Sequence, residues 1–378
     1  MLAIQGGTVY TMGPAGVLDP GVVLIRGERI SAVGRDLPLP AGCEVVDARG
    51  MWVVPGLIDA HTHLGLAEEV HPVEGDDLNE VVEAVSPQLQ ALDGINFWDV
   101  GFADAVRGGV TRALVVPGSA NVIGGQGALL RTWAPTAAAM PYRHPWGVKA
   151  ALGENPKRIY GGRQKAPVTR MGSAALLRGA LRQAACWRQA RSRKKEDEFR
   201  HAALVRVLER QCPMWVHAHR ADDIMTALRI ADEFGIDIVI QHGTEAFLVA
   251  DELARRRVKV ALGPLLVNRA KVEMQAVSFS TAARLEQAGV EFCLVTDHPV
   301  VPVQYLNVCA ALAVREGLQE EAALAAVTIR AAAVLGVDDE LGSLEEGKRA
   351  DLVVFDRHPL DVKARARHVV VDGRRWEG

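Results

Sequence analysis

The sequence contains no apolar run approaching the ~18 residues that a membrane-spanning helix needs, so no membrane span is expected. It also lacks an excess of either charge. Its 43 basic residues stand against 46 acidic ones, a formal net charge of −3. That balance offers no electrostatic reason to bind nucleic acid or an anionic membrane. Residues 189–211 are dense in charge, but the signs are mixed, as on a solvated helix face. The first ten residues hold no basic segment followed by an apolar one, and no secretory leader is expected. Cysteine is sparse: Cys43, Cys186, Cys212, Cys293 and Cys309 are scattered, odd in number and form no Cys-x-x-Cys pair. Buried, reduced thiols in a cytoplasmic setting are the expectation. The glycine-rich stretch 117–127 lacks the Gly-Lys-Ser/Thr ending of a phosphate loop, which argues against nucleotide binding.

What is present is ordinary globular material. The 378 residues are 49% hydrophobic with a mean hydropathy of +0.08, enough for a large core and a smaller second unit. Residues 1–52 read as short strands and turns with no helix-length periodicity. From 53 onwards short apolar runs alternate with longer amphipathic segments. Strands are predicted at 53–60, 111–117, 128–133, 147–152, 214–217, 237–241, 259–262 and 291–296. Helices are predicted at 78–92, 98–107, 173–208, 221–234, 245–256, 281–288 and 304–316. This alternation argues for an α/β chain, and eight units fit a (β/α)8 TIM barrel. The tail returns to strands. A small β-sandwich domain built from both chain ends, 1–54 and 337–378, would flank a barrel at 55–336.

Catalytic side chains of such barrels sit at the C-terminal ends of the strands. The first strand ends in His61-Thr62-His63, and residues i and i+2 of a strand face the same way, so both imidazoles aim at one point. Imidazole is the commonest protein ligand for zinc-like metals. Later strand ends carry His217 and His219, then His242, then Asp297 and His298. Six of the chain's eleven histidines thus fall where ligands belong.

The stretch Val-Pro-Gly-Leu-Ile-Asp-Ala-His-Thr-His at 54–63, with His217, His242, Asp297 and Gly-Ser-Leu-Glu-Glu-Gly-Lys-Arg-Ala-Asp-Leu-Val-Val at 342–354, resembles the amidohydrolase superfamily. Within it the chain is similar to the imidazolonepropionase-like members. The resemblance implies a hydrolase acting on a carbon–nitrogen bond of a small molecule. It also implies a divalent metal, zinc first among the zinc, manganese, nickel and iron that His/Asp ligands suit, with one or two ions per chain. His61, His63 and Asp297 would hold one ion, and His217 and His242 a second. Asp297 would be general base, with His219 and His298 polarising the scissile carbonyl or lying one layer further out. Binuclear relatives bridge their metals with a carboxylated lysine or a glutamate. Lys149, in an apolar strand, resembles the first and Glu154, at that strand's end, the second, with Glu154 preferred. Asn121 and Gln126 offer amide contacts to substrate. Arg158, together with Tyr160, Arg163 and Arg170, offers a carboxylate site or, equally, the surface of an inserted loop. Two other readings stand beside this one: a prolidase-like dipeptidase and a non-catalytic barrel serving as a partner protein. A homodimer is the default assembly.

Overall fold

Gly56 divides the apolar run that was read as one strand. A Cβ there would lie 2.1 Å from Thr111 Oγ1, so only glycine lets the two chains approach. In the computed structural model, which describes residues 1–70, 73–190 and 195–377, the run becomes two strands in different sheets. Trp52–Pro55 belongs to a sheet drawn from both chain ends, and Leu57–Thr62 opens the central fold.

The terminal sheet has eight strands, three of them (Leu352–Phe355, Ala366–Val371, Arg374–Arg375) from the C-terminal end. Trp52–Pro55 pairs antiparallel with Leu352–Phe355, setting Val53 opposite Val354 and Val54 opposite Val353. Strand side chains alternate between faces. Val53, Leu352, Val354 and Val370 therefore enter the sheet's own core, while Val54, Val353, Phe355 and Val369 enter the core of the central fold. Burial of each is worth about 1.5–3 kcal/mol, so this seam ties the two regions firmly. Arg112, fully buried on Val110–Val115, adds a polar tie. Its guanidinium donates to Asp351 at 2.7 and 3.0 Å and to Asp372 at 2.7 Å, and stacks on the Tyr142 ring.

The central fold is α/β and barrel-like. Val148–Ala151, Met214–Ala218, Ile238–His242, Lys259–Leu262 and Phe292–Leu294 run parallel in that order. Leu57–Thr62 and Val110–Val115 form a second parallel pair. Thr62 bridges to His298 in parallel sense, and Asp297 N–H donates to the His61 carbonyl at 3.2 Å, which brings the first and last strand ends together.

Several expectations are corrected. Ala128–Arg131 is antiparallel to Val110–Val115, and Ile123–Gln126 is antiparallel to Val148–Ala151. The link between Val115 and Ala128 is too short to hold a crossover helix, so no third parallel unit forms there. Residues 78–92 are not a helix. They pass beside Ile123–Gln126 with isolated bridges from Val85 to Ile123 and Gln90 to Gln126, Pro87 interrupts any α-helical ladder, and only a 3-10 turn forms, at Ala91–Asp93. The helix read at 173–208 is two, Arg170–Gln189 and Lys195–Leu208, and part of the charged stretch lies outside the described residues. Glu154–Gly162, read as an inserted loop, is a helix that tolerates Pro156 because it lies in the first turn. Ala221–Phe234 ends as read, at Gly235 in the left-handed region (φ 63°). All five cysteines are free; three are buried, whereas Cys186 is exposed. Among the described residues no helix is long and apolar enough to cross a membrane.

Candidate active site

The strand ends converge as their periodicity requires. His61 and His63 leave the first strand on one face, and Asp297 Oδ1 meets them at 3.0 and 3.1 Å from the two Nε2 atoms. His217 and His219 leave the Met214–Ala218 strand in the same way, and His242 ends the next one. The rings of His61, His63, His217, His219 and His242 form a continuous cluster with neighbouring centroids 4.3 to 5.1 Å apart. Two sets of ligand atoms each fall within 4.8 Å: His61, His242 and Asp297, and His217, His219 and His242. His242 (φ 76°) and Asp297 (φ 54°) both hold left-handed backbone, which is rare for non-glycine residues and concentrates at functional sites.

Hydrogen bonds fix which ring nitrogens face inward. A carbonyl oxygen can only accept. The 2.8 Å contacts from His63 Nδ1 to the Val116 carbonyl and from His242 Nδ1 to the Gly263 carbonyl therefore place the protons on Nδ1. In neutral rings both Nε2 atoms are then bare, and that of His63 faces a carboxylate oxygen at 3.1 Å. Two lone pairs at that separation call for a cation between them. Burial favours the neutral form of four of these imidazoles: His61 falls to about 3 and His219 to about 4, while His217 and His242 lie well below the usual range. Burial alone would raise the Asp297 carboxyl, but the hydrogen bond with His61 leads the effects that hold it well below its usual value. A set of neutral imidazoles around an ionised carboxylate is the donor set that a zinc-type ion takes.

The two bridge candidates occupy different surroundings. Lys149 is fully buried, its ammonium donates to Gln241 Oε1, and burial lowers it to about 7. It lies close enough to His61, His217 and His219 to depress all three. Glu154 is half-buried at a helix start, and among the described residues no contact ties its carboxylate to the histidines.

His298 is not at the cluster's centre. Its Nδ1 accepts from Val303 N–H at 3.2 Å, so the neutral ring carries its proton on Nε2, which points towards Glu69 Oε1 at 3.6 Å. A protonated nitrogen cannot ligate metal, and His298 does not line the cavity. That cavity, about 370 Å³, is walled by His63, His217, His219, His242 and Asp297 on one side. Ser119, Asn155 and Lys271 supply polar groups, and Leu266, Val267 and Met274 an apolar wall. Asn121 is elsewhere, spent on the Glu80 carbonyl (2.6 Å) and the Tyr160 hydroxyl (2.8 Å). Gln126 is buried in a strand with its amide 3.5 Å from the Gln88 carbonyl. Arg158 is exposed on its helix, Arg163 donates to the Val81 carbonyl, and Arg170 pairs with Asp223. None of these lines the cavity.

Sequence reasoning passed over two residues. Asp59 is fully buried and accepts from Thr296 Oγ1 (2.5 Å) and from the backbone N–H of Thr296 and His61 (each 3.2 Å), clamping first strand to last. Its carboxyl is raised to about 7 by burial. Its place two residues before His61 was the available signal. Glu273, 1% exposed, stands 3.6 Å from His217 Nε2. It lies on a 3-10 turn, Val272–Met274, where no periodicity announces it.

Comparisons with known proteins follow the same lines. The sequence model of the amidohydrolase family matches residues 121–376. Amidohydrolase tasK of Hapsidospora irregularis is 31% identical over 93% of this chain, which spans 39% of that longer protein. Imidazolonepropionase of Rhizobium meliloti is 26% identical over 91% of this chain and 87% of its own length. The crystal structure of an amidohydrolase from Thermotoga maritima superposes with a TM-score of 0.95 at 38% identity, covering 99% of each chain.

Proposed function

The chain belongs to the amidohydrolase family, as a hydrolase of carbon–nitrogen bonds other than peptide bonds, and on that premise we propose that it opens a cyclic amide, amidine or N-acyl bond of a small molecule, with Asp297 as general base. The observation that carries this reading is the inward convergence of bare imidazole nitrogens on the Asp297 carboxylate. We read His61, His63 and Asp297 as holding one divalent ion, zinc by donor type, and His217, His219 and His242 as holding a second. This moves His219 from carbonyl polarisation into the ligand set. Lys149, carboxylated, replaces Glu154 as the bridge, because the lysine lies among the histidines and the glutamate does not. When bound, such ions act as Lewis acids and lower the pKa of water from ~15.7 towards ~7.

The chain's own groups do the rest. The Asp297 carboxylate takes the proton of the attacking water and returns it to the leaving nitrogen. Lys271 and Asn155, linked at 3.0 Å, face a polar group of the substrate, and Leu266, Val267 and Met274 exclude bulk water. A cavity of this size suits a small molecule. We read the two central sheets as one closed (β/α)8 barrel spanning 55–336, and the terminal sheet as a β-sandwich of 1–54 and 337–378. The Thr62–His298 bridge supports the closure. Five free cysteines support a cytoplasmic setting.

The test combines metal content with hydrolysis. The isolated protein should carry about two ions per chain, lose hydrolysis of a cyclic-amide panel on chelation, and regain it with zinc. A metal-free protein unmoved by zinc would reject the reading, and dipeptides in the same panel test the prolidase-like alternative. Lys149→Ala should lower the metal content by about one ion per chain, and Glu154→Gln should leave it unchanged. The reverse result would restore Glu154 as bridge.

A further inference from the structure

We propose that Glu273 is a ligand of the divalent cation held by His217, His219 and His242, a position supplied by the loop after the Lys259–Leu262 strand rather than by a strand end. The inference rests on the metal reading above. Glu273 is buried, and its two carboxylate oxygens are treated very differently. Oε2 accepts the Glu154 backbone N–H at 3.0 Å. Oε1 has no hydrogen-bond partner. It lies 3.6 Å from His217 Nε2 and 3.9 Å from His219 Nε2. Neither ring nitrogen of His217 has a partner either.

A buried carboxylate oxygen without a partner is costly. Lys271 forms a long ion pair with it at 3.9 Å but gives its hydrogen bond to Asn155 Oδ1 at 3.0 Å, which leaves Oε1 without one. The gaps to the histidines are too long for hydrogen bonds. The 3.6 Å gap to His217 matches the edge of a tetrahedral site, where bonds of about 2.0–2.2 Å put neighbouring ligand atoms roughly 3.3–3.6 Å apart, and the 3.9 Å gap to His219 exceeds it by about 0.3 Å. One cation between Oε1 and the two Nε2 atoms satisfies both atoms left without a partner among the described residues, Glu273 Oε1 and His217 Nε2, with His219 Nε2 as the third ligand. The Oε2 bond to Glu154 N–H then holds the carboxylate in the orientation that offers Oε1 to the ion. Gly153 serves the same end, since a Cβ there would press on Oε2 at 2.9 Å.

Glu273→Gln tests this, because the amide oxygen can keep the Glu154 N–H bond while the charge is lost. The readouts are metal per chain and affinity for Zn²⁺ and Co²⁺, with the visible spectrum of the Co²⁺-loaded protein. We expect the variant to fold as the parent does, to bind the second equivalent at least about tenfold more weakly, and to alter the Co²⁺ spectrum. Glu273→Asp, shorter by one methylene, should recover part of the affinity. An unchanged second equivalent and an unchanged spectrum in Glu273→Gln would reduce Glu273 to an anchor for the loop and overturn the proposal. Absence of metal from the parent itself would instead remove the functional reading on which it stands.

Discussion

Asp297→Asn is expected to lower kcat by about 10²–10⁴-fold, the usual contribution of a positioned general base, while leaving the fold intact. The choice of asparagine matters. Asp297 holds a left-handed backbone at φ 54°, which asparagine adopts more readily than most residues. The side chain keeps its shape and its contacts near His61 and His63, and only the charge and the basic oxygen go. Thermal unfolding of metal-free parent and variant should therefore agree closely, so that a fall in turnover reports chemistry. Full turnover in the variant would remove Asp297 from proton transfer. An alanine substitution would be a poorer test, because it adds a cavity and a strained backbone to the missing carboxylate.

Arg112→Met is expected to destabilise the protein by about 3–5 kcal/mol, the range for breaking a buried ion pair. Methionine approximates the volume, so lost packing contributes little; the cost comes from leaving Asp351 and Asp372 buried without their shared cation. Denaturant unfolding measures it. Burial alone would raise the Asp372 carboxyl, but Arg112 and Arg131 hold it below its usual value. A carboxyl lowered in the folded state stabilises fully above its unfolded pKa of about 3.9 and loses that contribution as pH falls further. The parent should therefore weaken steeply below about pH 4, and Arg112→Met should show a shallower acid limb. Equal stability of the two proteins at pH 7 would show that the pair is energetically neutral. Arg112 does not line the cavity, so folded Arg112→Met should turn over normally.

How far the sequence disclosed the site depends on the kind of element each residue occupies. His61 and His63 were legible because a strand repeats every two residues and both sit at its end. That rule does not reach Asp297 and His298, which follow the end of the Phe292–Leu294 strand; Asp297, with its left-handed backbone, is the one that faces the cluster. Lys149 against Glu154 was not decidable from order along the chain. The lysine lies within its strand yet points inward, whereas the glutamate has already begun a helix. Asn121 and Gln126 lie outside the cavity for a different reason. Polar residues in a glycine-rich loop look available to substrate, but that stretch is almost wholly buried and its amides satisfy the backbone around them. Glu273 was invisible because loop residues carry no period. The antiparallel strands at Ile123–Gln126 and Ala128–Arg131 escaped because apolar runs do not encode direction.

The pairing of Trp52–Pro55 with Leu352–Phe355 has a temporal consequence. Partners some 300 residues apart in the chain must meet before either strand is complete, and contacts of such separation form slowly. During synthesis the N-terminal strands emerge long before their C-terminal neighbours exist. Until then Trp52–Pro55 presents an open edge, with Val53 and Val54 exposed on opposite faces, the kind of edge on which chains aggregate. The order of manufacture thus leaves the first strands dependent on the last.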